Sequence, residues 1–143
     1  MIKIIHPSTP FEWEQYYALR YEVLRKPWNQ PLGSEKDENE NTSIHLFAYK
    51  DDVPSGVCRI QYNSPIQAQI RFMGVDSAFR GHKIGHALLE RAEQIVRESG
   101  RTEIILQARE NAVKFYESAG YAIVEKSFLM WNTIQHYLMR KTV

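Results

Sequence analysis

The period of the apolar positions changes several times along the chain, and each change marks a new element. Met1–His6 alternates weakly, as a short strand does. Thr9-Pro10-Phe11-Glu12 has the form of a capping box with proline at the first helical position. Trp13, Tyr16, Tyr17, Arg20, Val23 and Leu24 follow at helical spacing and predict one inward stripe, which Pro27 ends. From Trp28 to Thr42 the chain is polar, broken by Pro31 and Gly33, with Glu35, Asp37, Glu38 and Glu40 crowded together. Such loops are lids or solvated excursions. Ser43–Lys50 and Ser55–Asn63 read as an antiparallel pair about the turn at Asp51–Pro54, and Ile66–Val75 as a third strand.

The period then lengthens. Ile84, Ala87, Leu88, Ala92, Ile95 and Val96 mark an amphipathic helix that ends toward Gly100. Glu103–Ala108 contains the uninterrupted run Ile104-Ile105-Leu106, as expected of a strand covered on both faces. A short helix, Ala112–Ala119, stops at Gly120, and Tyr121–Glu125 and Ile134–Arg140 read as closing strands. A helix between Ile66–Val75 and Glu103–Ala108 makes those two strands parallel through a right-handed crossover. The expected fold is therefore α/β of the mixed α+β kind. It has a central, mostly antiparallel sheet with one parallel strand pair, flanked by helices.

Length and composition narrow the function. At roughly 100–200 residues per domain, 143 residues predict a single domain, 1–143, with one core. Eighteen Lys and Arg against seventeen Asp and Glu give no global field that would favour nucleic acid or an anionic membrane. Cys58 is the one cysteine, which excludes an intrachain disulfide and a cysteine-cluster zinc site. The apolar run at Met1–His6 is too short for a signal peptide, and no stretch approaches the ~18 residues of a spanning helix, so a cytoplasmic location is expected.

The segment richest in chemistry is Val75-Asp76-Ser77-Ala78-Phe79-Arg80-Gly81-His82-Lys83-Ile84-Gly85-His86. A strand ends, a basic glycine-containing turn follows, and a long helix begins at once. The first amides of a helix have no intrahelical partners, and its dipole adds partial positive charge there. Gly81 and Gly85 allow close approach, and Arg80 and Lys83 add mobile charge, so the turn suits a phosphate dianion. It is neither a Walker loop nor a dinucleotide fingerprint. His82 and His86 have the spacing of metal ligands, but no third ligand is evident and a cation would sit badly at the positive end of the helix. No metal is expected.

The turn Arg80-Gly81-His82-Lys83-Ile84-Gly85, after Phe72-Met73-Gly74-Val75, resembles the acyl-CoA-binding motif R/Q-x-x-G-x-G/A of the GNAT acyltransferase superfamily. Ala112–Tyr121 resembles the family's second signature, F/L-Y-x-x-x-G-F/Y on a short helix. Lys83 replaces the family's first motif glycine, which predicts a backbone there without positive φ. Arg109 stands where the family often has an asparagine, seven residues before Tyr116. Asn111 reads as an N-cap, with a cofactor contact as its alternative.

The resemblance implies a GNAT-like fold and transfer of an acetyl group from acetyl-CoA to a primary amine in a ternary complex. It implies that Arg80, Gly81, His82, Lys83, Ile84, Gly85 and His86 hold the pyrophosphate, and that the pantetheine arm pairs with Met73, Gly74 and Val75 in a cleft where the parallel strands splay. It assigns to Tyr116 the proton given to the leaving thiolate. A backbone N–H near Gly74 suits the developing oxyanion. For the general base, His45 and His136 are candidates because imidazole titrates near neutrality, with water an equal alternative. Gln69, Arg71 and Met73, on one face of the third strand, offer no carboxylate. Arg59 and Arg71 either grip an acceptor carboxylate or form ion pairs, and the acidic loop either attracts an amine or is solvated. Cys58 reads as core. Expected partners are acetyl-CoA and a small-molecule or peptide amine, with no nucleic acid and no membrane; a homodimer through the C-terminal strands is allowed. A catalytically silent CoA-binding domain is the alternative function.

Overall fold

The capping box expected at Thr9 forms. Glu12 N–H donates to Thr9 Oγ1 at 3.1 Å and Thr9 N–H donates to Glu12 Oε1 at 3.2 Å, which starts a 15-residue helix, α1, at Pro10–Leu24. The computed structural model describes residues 1–143. The strands are β1 (Ile2–Ile5), β2 (Ile44–Lys50), β3 (Val53–Tyr62), β4 (Gln67–Val75), β5 (Glu103–Arg109), β6 (Ala122–Met130) and β7 (Ile134–Thr142). The remaining helices are α2 (Ile84–Glu98) and α3 (Val113–Ser118), with single 3-10 turns at Lys26–Trp28, Glu40–Thr42, Ser77–Phe79 and Glu110–Ala112.

The seven strands form one sheet in the order β1-β2-β3-β4-β5-β7-β6. β4 and β5 are parallel; β1–β2, β2–β3, β5–β7 and β6–β7 are antiparallel. The α/β class with its one parallel pair is as the sequence predicts. Pairing of β4 with β5 runs from Gln67 opposite Glu103 to Ile70 opposite Leu106 and ends there.

The residues fall into two compact units, Met1–Gln61 with Phe72–Ala92, and Tyr62–Arg71 with Glu93–Val143. In the first unit Tyr16, Leu19, Leu24, Phe47 and Val57 form a buried cluster against which Trp13, Tyr17, Val23 and Phe72 pack. In the second unit Ile104, Leu106 and Ala108 point to one buried side of β5, and Tyr116, Tyr121 and Met139 are also buried. Each fully buried side chain of this size contributes about 1.5–3 kcal/mol. No helix is long and apolar enough to cross a membrane.

Three local expectations are corrected. β6, an edge strand, extends through Met130, five residues beyond its predicted end, where Met130 pairs with Ile134. Its pairing with β7 shifts register between Ile123 and Glu125 and again between Lys126 and Leu129, and Ile123, Val124, Phe128 and Leu129 are exposed. A strand buried on neither face carries no alternation to read. The regular alternation expected through Met73 breaks at Phe72, which has a φ of 51°. Lys83, expected to avoid positive φ, has a φ of 64°.

Candidate functional site

In the first unit, α1 packs so closely on β4 that a Cβ at Gly74 would lie 2.8 Å from Val23 Cγ1 and 3.0 Å from Leu24 Cδ2. Only glycine fits there. After β4, Asp76 caps the next turn by accepting from Ala78 N–H at 2.9 Å. Phe79 N–H donates to Asp76 O and His82 N–H to Phe79 O, which brings the chain round to Lys83. Gly81 has a φ of 83°, and with Lys83 gives two left-handed residues in three. Ala87 N–H donates to Lys83 O as α2 begins, so the amides before it open the N-terminus of a 15-residue helix. The Ile84 side chain is buried and anchors that end, while Arg80, Gly81, His82, Lys83 and His86 are exposed around it. The arrangement can receive a phosphate group.

Lys83 holds a conformation that costs an L-residue roughly 1–2 kcal/mol. Lys83→Gly is therefore expected to stabilise the fold by about 1 kcal/mol, raising Tm by about 4 °C, while the lost ammonium weakens affinity for CoA. Thermal unfolding and calorimetry read the two effects separately; a lower Tm contradicts the first.

Of the acidic loop's carboxylates only Glu38 is exposed; Glu35 is buried, and Asp37 and Glu40 turn inward. Arg59 is fully buried; NH1 donates to Asp37 Oδ1 at 2.5 Å and to Glu40 Oε2 at 2.7 Å, and NH2 donates to Asp37 Oδ2 at 3.0 Å. Arg20, also fully buried, donates from NH1 to Glu40 Oε1 at 2.8 Å and from NH2 to the Tyr16 hydroxyl at 2.7 Å. The guanidinium carbons of Arg20 and Arg59 stand 4.5 and 4.8 Å from the centre of the Phe72 ring, with that of Arg25 at 5.3 Å. The strained Phe72 backbone thus has its side chain gripped by cations. All four carboxylate oxygens of Asp37 and Glu40 are engaged, with Tyr17 OH and the Asp37 and Asn39 amides as further donors.

His45 lies beside this cluster, 1% exposed. Nε2 donates to Glu40 O at 2.8 Å, which leaves Nδ1 as the accepting nitrogen, 2.9 Å from the Tyr16 hydroxyl and 3.3 Å from Arg20 NH2. Burial lowers its pKa; the Glu40 carbonyl opposes that and the Arg20 charge adds to it. Both nitrogens are committed and protonation would set a second cation against Arg20, so this histidine is built to remain neutral. A small cleft of about 280 Å³ adjoins it, lined by His6, Trp13, Tyr17, Glu40, Asn41, Ser43 and His45. Cys58 is fully buried, and burial pushes its thiol up to about 12. It is core.

In the second unit Tyr116 lies on α3, 8% exposed, with its ring 5.1 Å from Phe115 and 5.9 Å from Tyr121. The end of α3 is held in place. Lys141 Nζ donates to Ala119 O and to Glu93 Oε1, both at 2.8 Å, and Tyr121 OH donates to Glu93 Oε2 at 3.0 Å. His136 is buried on β7, donating Nδ1–H to Ile134 O at 3.0 Å and stacking on Phe128 at 4.3 Å. It stands directly opposite Arg109. Asn111 is exposed in the Glu110–Ala112 turn; the N-cap of α3 is Ala112, so the capping role expected of Asn111 is not realised. Arg109, to which the sequence assigns no role, has its pKa lowered by burial, with the Tyr116 phenol partly restoring it. No group of three or more His, Cys, Asp or Glu side chains is arranged to hold a metal ion.

The chain is similar to known proteins along most of its length. It is 28% identical over 125 residues to the uncharacterised N-acetyltransferase YjcF of Bacillus subtilis (strain 168), covering 87% of this chain and 89% of that one. Its fold matches ElaA of Escherichia coli with a TM-score of 0.82 at 20% identity, over 99% of this chain and 98% of that one. It also matches an aminoglycoside 6'-N-acetyltransferase complexed with coenzyme A, with a TM-score of 0.79 at 21% identity over 99% and 97% of the two chains. The family model for the Acetyltransferase (GNAT) family matches residues 11–121. The chain belongs to the GNAT acetyltransferase family.

Proposed function

We propose that the protein transfers an acetyl group from acetyl-CoA to a primary amine by direct attack in a ternary complex, with 1–143 acting as one acyltransferase domain. The observation that carries this reading is the turn before α2, where left-handed Gly81 and Lys83 lead straight into an open helix N-terminus flanked by Arg80. Those amides and cations suit the pyrophosphate of CoA. Met73, Gly74 and Val75, with backbone amides on β4, are assigned the pantetheine arm, and a Gly74-proximal N–H the developing oxyanion. Tyr116 gives a proton to the leaving sulfur.

For the base that takes the amine's proton, His136 and water are favoured over His45, because the accepting nitrogen of His45 is already taken by the Tyr16 hydroxyl. The carboxylates of Asp37 and Glu40 are spent on Arg20 and Arg59, so they are not the recognition element for a cationic acceptor.

Two measurements test the reading together. Calorimetry with CoA is expected to show binding that weakens in an Arg80→Ala, Lys83→Ala double variant. A thiol-release screen of amines with acetyl-CoA is expected to find an acceptor that turns over. Absence of heat with CoA overturns the proposal, and binding without turnover of any amine would convert it to a silent CoA-binding domain.

A further inference from the structure

One residue of β4 lies outside the conformation of a strand. Phe72 has a φ of 51°, a backbone that costs a bulky L-residue about tenfold in population. It stands between Ile70, where the pairing of β4 with β5 ends, and the segment Met73–Val75. In an extended strand successive main-chain N–H groups face opposite edges. A left-handed residue interrupts that alternation and re-aims the peptides that follow it.

Phe72 is half-buried, so burial supplies only part of what holds this backbone. Cations supply the rest. The guanidinium carbons of Arg20 on α1 and Arg59 on β3 stand 4.5 and 4.8 Å from the ring centre, and that of Arg25 stands at 5.3 Å. Arg20 and Arg59 are fully buried, and the Nε atom of each has no hydrogen-bond partner. Desolvated cations of this kind gain most from the negative face of an aromatic ring. Asp37 and Glu40 lock both in place. α1 touches the strand again at Gly74, where a Cβ would lie 2.8 Å from Val23 Cγ1. The chain is thus held on both sides of Met73.

We infer that Phe72 is a positioning residue for the cofactor: gripped by Arg20 and Arg59, its ring holds β4 in the left-handed kink that presents the Met73–Val75 amides to the pantetheine arm of CoA. This rests on the assignment of those amides to pantetheine under the proposed function. With the grip removed, nothing offsets the cost of the left-handed backbone, and β4 relaxes toward an extended path with the amides turned away. Glycine at the same position adopts that backbone freely and needs no grip. The cofactor meets the kink, not the ring.

The test is calorimetric titration with CoA of the full chain and its Phe72→Leu and Phe72→Gly variants, beside urea unfolding of each. Leucine keeps apolar bulk, has no π face and bears the same backbone cost. Phe72→Leu is therefore expected to weaken CoA binding about 10-fold. Phe72→Gly is expected to stay within about threefold of the unaltered chain. Stability runs the other way, because glycine leaves the space of the ring empty and unfolds at lower urea than leucine does. Affinity and stability thus rank the two variants in opposite orders.

A ring that serves packing alone ranks them in the same order, with glycine the weaker binder, and that result overturns the inference. Undiminished affinity in Phe72→Leu overturns it as well. If either variant does not fold by circular dichroism, 3,4,5-trifluorophenylalanine at position 72 keeps the shape of the ring and depletes its negative face. Its expected effect is a loss of CoA affinity of about fivefold, and unchanged affinity counts against the grip. Absence of heat with the unaltered chain removes the CoA reading and the inference with it. Binding by the unaltered chain and equally by every variant removes the inference alone.

Discussion

Tyr116→Phe lowers kcat by about 100-fold or more and leaves the affinity for acetyl-CoA within about twofold. The expectation separates chemistry from binding. The variant keeps the ring, which packs edge-on against Phe115 and Tyr121, and the end of α3 stays tied through Lys141 and Glu93. Only the hydroxyl is lost. A phenol can donate a proton to the departing sulfur, and phenylalanine cannot. Steady-state turnover and calorimetric titration with acetyl-CoA read the two halves independently. Turnover equal to wild type takes Tyr116 out of the mechanism, and an equal loss in binding recasts it as a packing residue.

The largest expected effect on stability comes from Arg59→Met. Arg59 is fully buried and satisfies Asp37 through two bonds, Glu40 through one and the Gln61 side chain at 2.6 Å. Methionine fills much of the space but takes away the guanidinium that bridges Asp37 and Glu40. Removing one side of a buried ionic cluster costs about 3–5 kcal/mol. Urea unfolding at pH 7 measures it, and a loss below about 1 kcal/mol would show that the cluster behaves as a surface pair.

The same cluster sets the acid sensitivity of the fold. Burial raises the pKa of Glu40, but the charge and hydrogen bonds of Arg20, with the Asp37 amide and Tyr17, outweigh it, so the folded value lies below the ordinary 4.5. Its contribution is complete above 4.5 and is lost as pH falls through the folded value. His45 adds an earlier stage. Its folded pKa lies below 6.5, so on acidification the unfolded chain takes up the proton first and stability begins to decline below about 6.5. In Arg59→Met the lower stage is shallower, because Glu40 has lost part of what held it ionised.

The fold was legible where local chemistry and periodicity agree. The Thr9 box, the Ile84–Val96 stripe and the strand Glu103–Ala108 each need only their own neighbourhood, and each formed. Misreadings came where tertiary partners decide. No sequence signal sets Phe72 at positive φ, because the grip on its ring comes from Arg20 on α1 and Arg59 on β3. Lys83 keeps the conformation of the glycine it replaces because the turns on either side fix the chain's path. Asp37 and Glu40 look like a solvated run in one dimension and prove to be the counter-ions of two buried arginines. Of the candidate site, the phosphate turn and Tyr116 are proposed from motif and spacing.

Arg20, Asp37, Glu40 and Arg59 stand far apart in the chain yet answer to one another, and this constrains how the protein can diverge. Loss of any one removes a partner from a buried or half-buried charge, whereas joint replacement by apolar residues of similar bulk is close to neutral. Descendants of this sequence can therefore leave the arrangement only by passing through a weakened ancestor or by changing several positions together, so the quartet is inherited as a block.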